Sequence, residues 1–362
     1  KNLMEGSDFD PLFEAGKSRA ISDWLYGINA TRLFTLKFGK NKQILSVGRV
    51  QTPTLAMIVK RHFDTKNFVP SIYFEIKTEY KNTTFTFEKG KIEKKTKADE
   101  FLTQIQKHPL SIMDITIKAG KEHPPSLFDL TSLQVEGNKK LGLSAEQTLN
   151  TVQSLYEKKL VSYPRVDTVY LPKDQYPKIK GILKGLFMYK NLTEPLLQKP
   201  IKKSKKVFND NKVTDHHAII PTGVNASNVS GNEAAIYDII SRRFIAAFYS
   251  ECKVSNTTVY AKVDTFKFKA TGKQILDKGW RVVYQSQQSS SKEDRVLPHF
   301  EKGESGDHQP SLGTKKTSPP KPYTEATLLR AMETAGREVD NEELKQLMKE
   351  NGIGRPSTRA NI

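Results

Sequence analysis

The chain has 362 residues, and its 58 Lys and Arg against 40 Asp and Glu give a formal charge of +18. That length supports two or three domains, clustered apolar residues exclude a fully disordered chain, and the charge points to a polyanionic partner bound more weakly as salt rises. No apolar run reaches the ~18–20 residues of a membrane span, no apolar signal-peptide core opens the chain, and the lone Cys252 excludes an internal disulfide or a cysteine-rich zinc site. A reducing cytoplasm is expected. Position 1 is Lys, so a longer parent protein is expected too.

From the N-terminus, Ile21, Trp24, Leu25 and Ile28 follow helical spacing. Residues 48–53 interrupt it, and Leu55, Ile58, Val59 and His62 predict a second helix. Residues 73–80 and 83–87 alternate as a strand pair, with Lys81 and Asn82 at the turn. The Lys-rich run 89–97 reads as a solvated loop, 98–106 as a helix and 111–117 as a strand. After the stiff His123-Pro124-Pro125, residues 128–141 predict a helix stopped by Gly142. Ser144 and Gln147 have capping-box spacing, and the helix they open carries Leu149, Val152, Tyr156 and Leu160 on one face. The Lys-rich run 199–206 is a solvated loop or a phosphate track. A helix over 233–249 and strands over 253–268 follow. Residues 285–320, rich in Ser, Gln, Gly, Lys and Pro, read as largely irregular. A last helical region runs from Thr324 to about 349. Strand-rich stretches at 71–120 and 251–285 around a helical insert suggest one β domain interrupted by an α domain.

Ala15-Gly16-Lys17-Ser18 has the tail of a phosphate-binding loop, but Pro11 stands where the motif needs its first glycine, so a nucleoside-triphosphate site is rejected. His216-His217 leaves open a metal site, a structural pair, or a histidine that bonds a phosphate. Adjacent side chains diverge, which counts against chelation of one ion. Most tyrosines are packing residues. Tyr163, though, follows an abrupt helix end, is fixed by Pro164 and has Arg165 two positions on. A tyrosine hydroxyl can attack a phosphodiester. With an ordinary tyrosine pKa of ~10, the chemistry needs cations to favour phenolate and the charged phosphorus, and a guanidinium fork suits phosphate oxygens. In extended chain, residues 163 and 165 would face the same way.

Ser162-Tyr163-Pro164-Arg165-Val166-Asp167, followed by Tyr170-Leu171-Pro172, resembles the active-site segment of type IA DNA topoisomerases, the bacterial topoisomerase III branch in particular. Similar likenesses run across the chain in family order. They are Ser18-Arg19 with Asp23-Trp24-Leu25, Gly27, Asn29 and Thr31-Arg32; the 45–55 stretch LSVGRVQTPTL; 215–222, DHHAIIPT; and 352–360, GIGRPSTRA.

The resemblance implies a multidomain α+β fold, the toroidal type IA core, with helical domains and a β-rich arch. The expected divisions are a helical DNA-binding domain in two parts (1–65 and 286–362), the arch in two parts (66–123 and 251–285), and a helical domain with the tyrosine (124–250). Tyr163 would be the nucleophile, with Arg165 and His216 at the scissile phosphate. Arg49 and Gln51 would contact the single strand, with Arg19, Gln134, Asp167, Ser357 and Thr358 as further candidates. Asp23 and Trp24 lean towards structural roles. The resemblance also implies magnesium, held in the complete enzyme by a Toprim unit. This chain is expected to start past that unit and to bind no metal itself. The implied reaction is ATP-independent cleavage through a 5′-phosphotyrosine, strand passage and religation, which relaxes or decatenates DNA. Single-stranded or underwound DNA, with a helicase as a further candidate, are the implied partners of a monomer at the bacterial nucleoid. Two rivals are a non-catalytic single-strand-binding module and a nicking relaxase, the latter disfavoured because its histidines flank an apolar residue. A hydrolytic nuclease lacks the carboxylate cluster it would need.

Overall fold

The computed structural model describes residues 5–41, 43–213, 215–287, 295–338, 342, 345–346, 352–360 and 362. Two compact units divide the chain. One comprises Lys1–Lys66, Leu130–Asn150 and Lys321–Ile362, the other Asn67–Asp129 and Thr151–Pro320.

The first unit is helical. Its helices are α1 (Asp10–Phe38), α2 (Gln51–Lys66), α4 (Leu130–Leu141), the start of α5 (Ala145–Glu157), α9 (Glu325–Glu333) and the short α10 (Pro356–Arg359). Pro11 sits in the first turn of α1, where its missing N–H costs nothing. The apolar stripe predicted for α1 forms on a helix, but α1 buries none of its residues, and Trp24 remains 63% exposed. The stripe predicted for α2 is likewise outward, with Leu55, Ile58 and Val59 all exposed and only Thr54 buried. The capping box is as predicted: the Ser144 N–H donates to Gln147 Oε1 (2.8 Å), and the Gln147 N–H donates to Ser144 Oγ (3.0 Å). The Glu325 carboxylate accepts a further bond from the Ala145 N–H (2.6 Å), anchoring α9 to the N-terminus of α5. The last predicted helix appears as α9, and most of 339–349 lies outside the described residues.

The second unit holds an antiparallel sheet in the order β6-β3-β4-β5-β2-β1-β7. Its strands are β1 (Ile72–Tyr80), β2 (Thr83–Phe87), β3 (Leu110–Glu122), β4 (Cys252–Val263), β5 (Phe266–Asp277), β6 (Ser305–Gly306) and β7 (Gln309–Lys316). The β1–β2 hairpin turns at Lys81 and Asn82, both in the left-handed region (φ 47° and 55°), as a two-residue hairpin requires. Alternation buries Phe74, Ile76, Phe85, Phe268 and Val259 on one face, against α3 (Lys95–Ile105) through Ala98 and Ile105. The irregular reading of 285–320 is corrected at β7, which pairs with β1 over eight residues, from Ile72↔Lys316 to Glu79↔Gln309. Its Gly, Pro and Lys content hid the strand because β7 is an edge strand, where Pro310 and charged side chains are tolerated.

The rest of this unit is helical. It contains the C-terminal part of α5, α6 (Ile179–Gly185), α7 (Lys190–Leu197) and α8 (Gly231–Ala246). The face of α5 differs by one position from the prediction. Leu149, Val152, Leu155 and Leu160 are buried, and Tyr156 turns outward. No helix among the described residues is long and apolar enough to cross a membrane.

At the end of β3, Glu122 joins three segments. Its carboxylate pairs with Lys273 of β5 (2.5 Å) and with Arg281, and its carbonyl accepts from Trp280 Nε1 (3.0 Å). The bond from Lys273 holds the Glu122 carboxyl below the usual range; burial opposes this and Arg281 adds to it. A carboxyl lowered by folding stabilises above its unfolded value of ~4.3 and loses that contribution as pH falls through the depressed value. Urea unfolding between pH 6 and 3 is expected to show stability dropping at the acid end, and Glu122→Gln should flatten that part of the curve.

Candidate active site

Tyr163 lies just past the end of α5, on a segment joined to residues 218–222. The Ser162 N–H donates to the Ile220 carbonyl (2.9 Å), the Ile220 N–H to Ser162 Oγ (2.9 Å), and Ser162 Oγ–H to the Ala218 carbonyl (3.0 Å). The Thr222 N–H to Leu160 carbonyl bond (3.0 Å) continues the seam. Val161, Ala218, Ile219 and Ile220 are buried beneath it, which fixes the register.

This seam brings Tyr163 to His216. Their ring centroids are 4.5 Å apart with planes at 45°. On its other side Tyr163 meets the edge of Tyr156, at 5.4 Å and 78°. A cavity of about 170 Å³ is lined by Tyr163, His216, His217, Asp215, Ser162, Pro172 and Val213. His217 Nδ1 donates to the Ala218 carbonyl (2.8 Å), so its Nδ1 carries the proton and its other nitrogen is left to solvent or ligand. Adjacent histidines thus take different partners. Among the described residues, no group of three or more His, Cys, Asp or Glu is placed to hold a metal ion.

Arg165 departs from the sequence expectation. The Val166 N–H donates to the Pro164 carbonyl (3.0 Å), so the chain turns tightly at Arg165 and is not extended from 163 to 165. Arg165 is exposed and lies outside the cavity lining, and among the described residues it makes no ion pair or hydrogen bond. Asp167 is exposed on the same segment. Beyond it, the Thr168 hydroxyl donates to the Lys212 carbonyl (2.5 Å), and the Leu171 N–H to the Val207 carbonyl (2.8 Å).

The remaining candidates fall in the helical unit. Arg49 binds Asp23 through Nη2 (2.8 Å) and Nε, a two-pronged pair, while Arg19 Nε stands 4.0 Å from the same carboxylate. Asp23, read from sequence as structural, holds Arg49 in place. Gln51 Nε2 donates to Ser46 Oγ (2.7 Å). Gln51 and Arg359 line a cleft of about 740 Å³, with Thr52, Glu325 and Met332. Ser357 and Thr358 sit on α10, Thr358 exposed and Ser357 half-buried. Gly354 adopts φ +70°, and a Cβ there would meet Val50 Cγ1 at 2.8 Å, so the 45–55 and 352–360 motifs touch through glycine. Gln134 lies in the interior of the helical unit. It is fully buried, and its amide donates to the Ala145 carbonyl (3.1 Å), tying α4 to α5. The resemblance implied a strand contact at this position, and α4 buries it together with Leu130, Leu133 and Val135. Tyr156, counted from the sequence with the apolar face of α5, instead turns outward to meet Tyr163, a contact that periodicity does not show.

The fold and these motifs define the class. Residues 7–362 match the family described as DNA topoisomerase, and the chain belongs to it. Among curated relatives, DNA topoisomerase 3 of Bacillus licheniformis is 38% identical and that of Bacillus subtilis 36%, each aligned with all of this chain and 52% of the relative. The chain spans about half the length of the curated relatives it matches. Among solved structures, full-length topoisomerase I from Thermotoga maritima superposes with a TM-score of 0.71 at 24% identity, over 96% of this chain and 55% of that one, and shares the α+β fold.

Ser162→Ala should lose about 1–3 kcal/mol of stability in urea unfolding, because it removes the acceptor of a backbone N–H and the donor to a carbonyl. Ser162→Thr, which keeps the hydroxyl, should retain most of it.

Proposed function

We propose that this chain is the strand-binding and strand-cleaving core of a type IA, topoisomerase III-like enzyme, with Tyr163 as its nucleophile. The observation that carries the reading is the half-exposed Tyr163 ring against His216 in a small cavity, with Arg165, two positions on, making no ion pair or hydrogen bond among the described residues.

The phenol gives up its proton, its oxygen bonds to phosphorus, and the P–O3′ bond breaks. The departing 3′ oxygen takes up a proton, and a 5′-phosphotyrosine remains. Religation runs the same bonds in reverse. One phosphate ester replaces another at each step, so no ATP is consumed. Arg165 offers planar donors to the charged phosphorus. His216, in ring contact with Tyr163, is placed to carry the moving proton or bond a phosphate oxygen. The nucleophile needs a phosphodiester free of duplex, so single-stranded or underwound DNA is the substrate. The salt-sensitive binding expected of a +18 chain fits it. The magnesium and the further cleavage-site groups implied by the family resemblance belong to a Toprim unit.

Tyr163→Phe in the complete enzyme should abolish covalent attachment to a labelled single-stranded oligonucleotide and leave its non-covalent affinity within about twofold. An adduct that persists through denaturation in this variant would refute the assignment. The 362-residue chain alone should bind such an oligonucleotide yet leave a negatively supercoiled plasmid unrelaxed on agarose gels; relaxation by the pure chain would overturn that division of labour.

A further inference from the structure

Antiparallel sheets commonly bury one face and solvate the other. Here the outward face carries an unusual juxtaposition. Lys262 of β4 stands directly opposite Lys267 of β5, and Tyr260 directly opposite Lys269. All four side chains are exposed, Tyr260 at 38%. Among the described residues, none of the three lysines forms an ion pair, and Tyr260 has no ring partner. The bordering acids are Glu88, Asp114 and Asp264. Of these Asp114 faces Lys302 at 3.7 Å, and none pairs with the strip. Hydroxyl side chains flank it: Thr86 lies opposite Lys269, and Thr258 opposite Thr271.

Like charges directly opposite each other in a sheet weaken it. A merely solvated face explains why these lysines are exposed, but not why two oppose each other with no acid between them. A lysine strip beside an uncommitted aromatic ring is the chemistry that holds single strands, cations on phosphates and a ring under a base.

We infer that the outward strip of β4–β5 is a second binding site for single-stranded DNA, where Tyr260 stacks on a base and Lys262, Lys267 and Lys269 pair with backbone phosphates. The inference rests on the proposed function for the identity of the polymer. It concerns strands of the sheet, away in sequence from the nucleophile and its seam.

Fluorescence anisotropy of a labelled oligo-dT, titrated with the whole chain at several salt concentrations, tests it. Replacing Lys262, Lys267 and Lys269 together by Gln should lower the slope of log affinity against log salt by about 2, at ~0.7 per single-strand phosphate contact. Replacing all three by Arg should preserve the slope. Tyr260→Ala should weaken binding roughly 5- to 150-fold, as expected for ~1–3 kcal/mol per stacked base, with the slope unchanged. An unaltered slope in the Gln variant, with the wild type binding normally, overturns the second site and leaves the Tyr163 assignment standing. Failure of the wild type to bind oligo-dT sinks both. A slope lost only for duplex DNA overturns the single-strand assignment. In the unmodified chain, an oligonucleotide bearing 5-iodouracil should photocrosslink to the peptide containing Tyr260, a readout independent of how any variant folds. Crosslinks confined to the Tyr163 peptide would refute the site.

Discussion

The candidate site of this chain depends on a short hydrogen-bonded seam. Ser162 and Ala218 are 56 residues apart in sequence, yet one hydroxyl serves both as donor to the Ala218 carbonyl and as acceptor from the Ile220 N–H. Buried Val161, Ile219 and Ile220 make the pairing hard to slip, since a one-residue shift would turn apolar side chains out to water. The tyrosine and histidine next to the seam inherit its precision. Two groups on free loops would meet rarely, and holding them in place turns a chance encounter into a standing arrangement. The seam also explains why neighbouring histidines behave differently: His217 is drawn to the Ala218 carbonyl, which leaves His216 for the tyrosine ring.

Sequence reasoning recovered what short-range rules determine. The β1–β2 hairpin followed from alternation and from Lys81-Asn82, both able to adopt the left-handed conformation the turn demands. The box at Ser144 and Gln147 followed from its spacing alone, because both partners lie within one turn. The site motifs were legible as patterns of residue type. What the sequence withheld was set by contacts distant along the chain. β7 is a strand because β1 offers it an edge, which composition does not record. The burial of Gln134 depends on where the start of α5 falls against α4. The bend at Arg165 arises from one hydrogen bond between Val166 and Pro164, a detail finer than any periodicity. The outward stripes of α1 and α2 show the limit of reading periodicity as burial, since the pattern declares an apolar face without saying what covers it.

Two of the arginines singled out by the motifs, Arg49 and Arg165, are held in opposite ways. Arg49 is gripped by Asp23 through two of its donors, and Asp23 stands within reach of Arg19 as well. Arg165 is held by nothing among the described residues except the turn beneath it. A guanidinium carries five donors, so a paired arginine still has N–H groups to offer, in a fixed direction and with less rotamer freedom to lose on binding. That arrangement favours repeated, reversible contacts with an anion. An unpaired arginine pays more entropy to bind but meets its anion at full charge, with no carboxylate to displace. That arrangement favours an anion whose charge is concentrated and short-lived. The carboxylate of Asp23 has a further effect. It lowers the local positive potential at Arg49, so an anion there is bound less tightly than by a bare arginine and is released more readily.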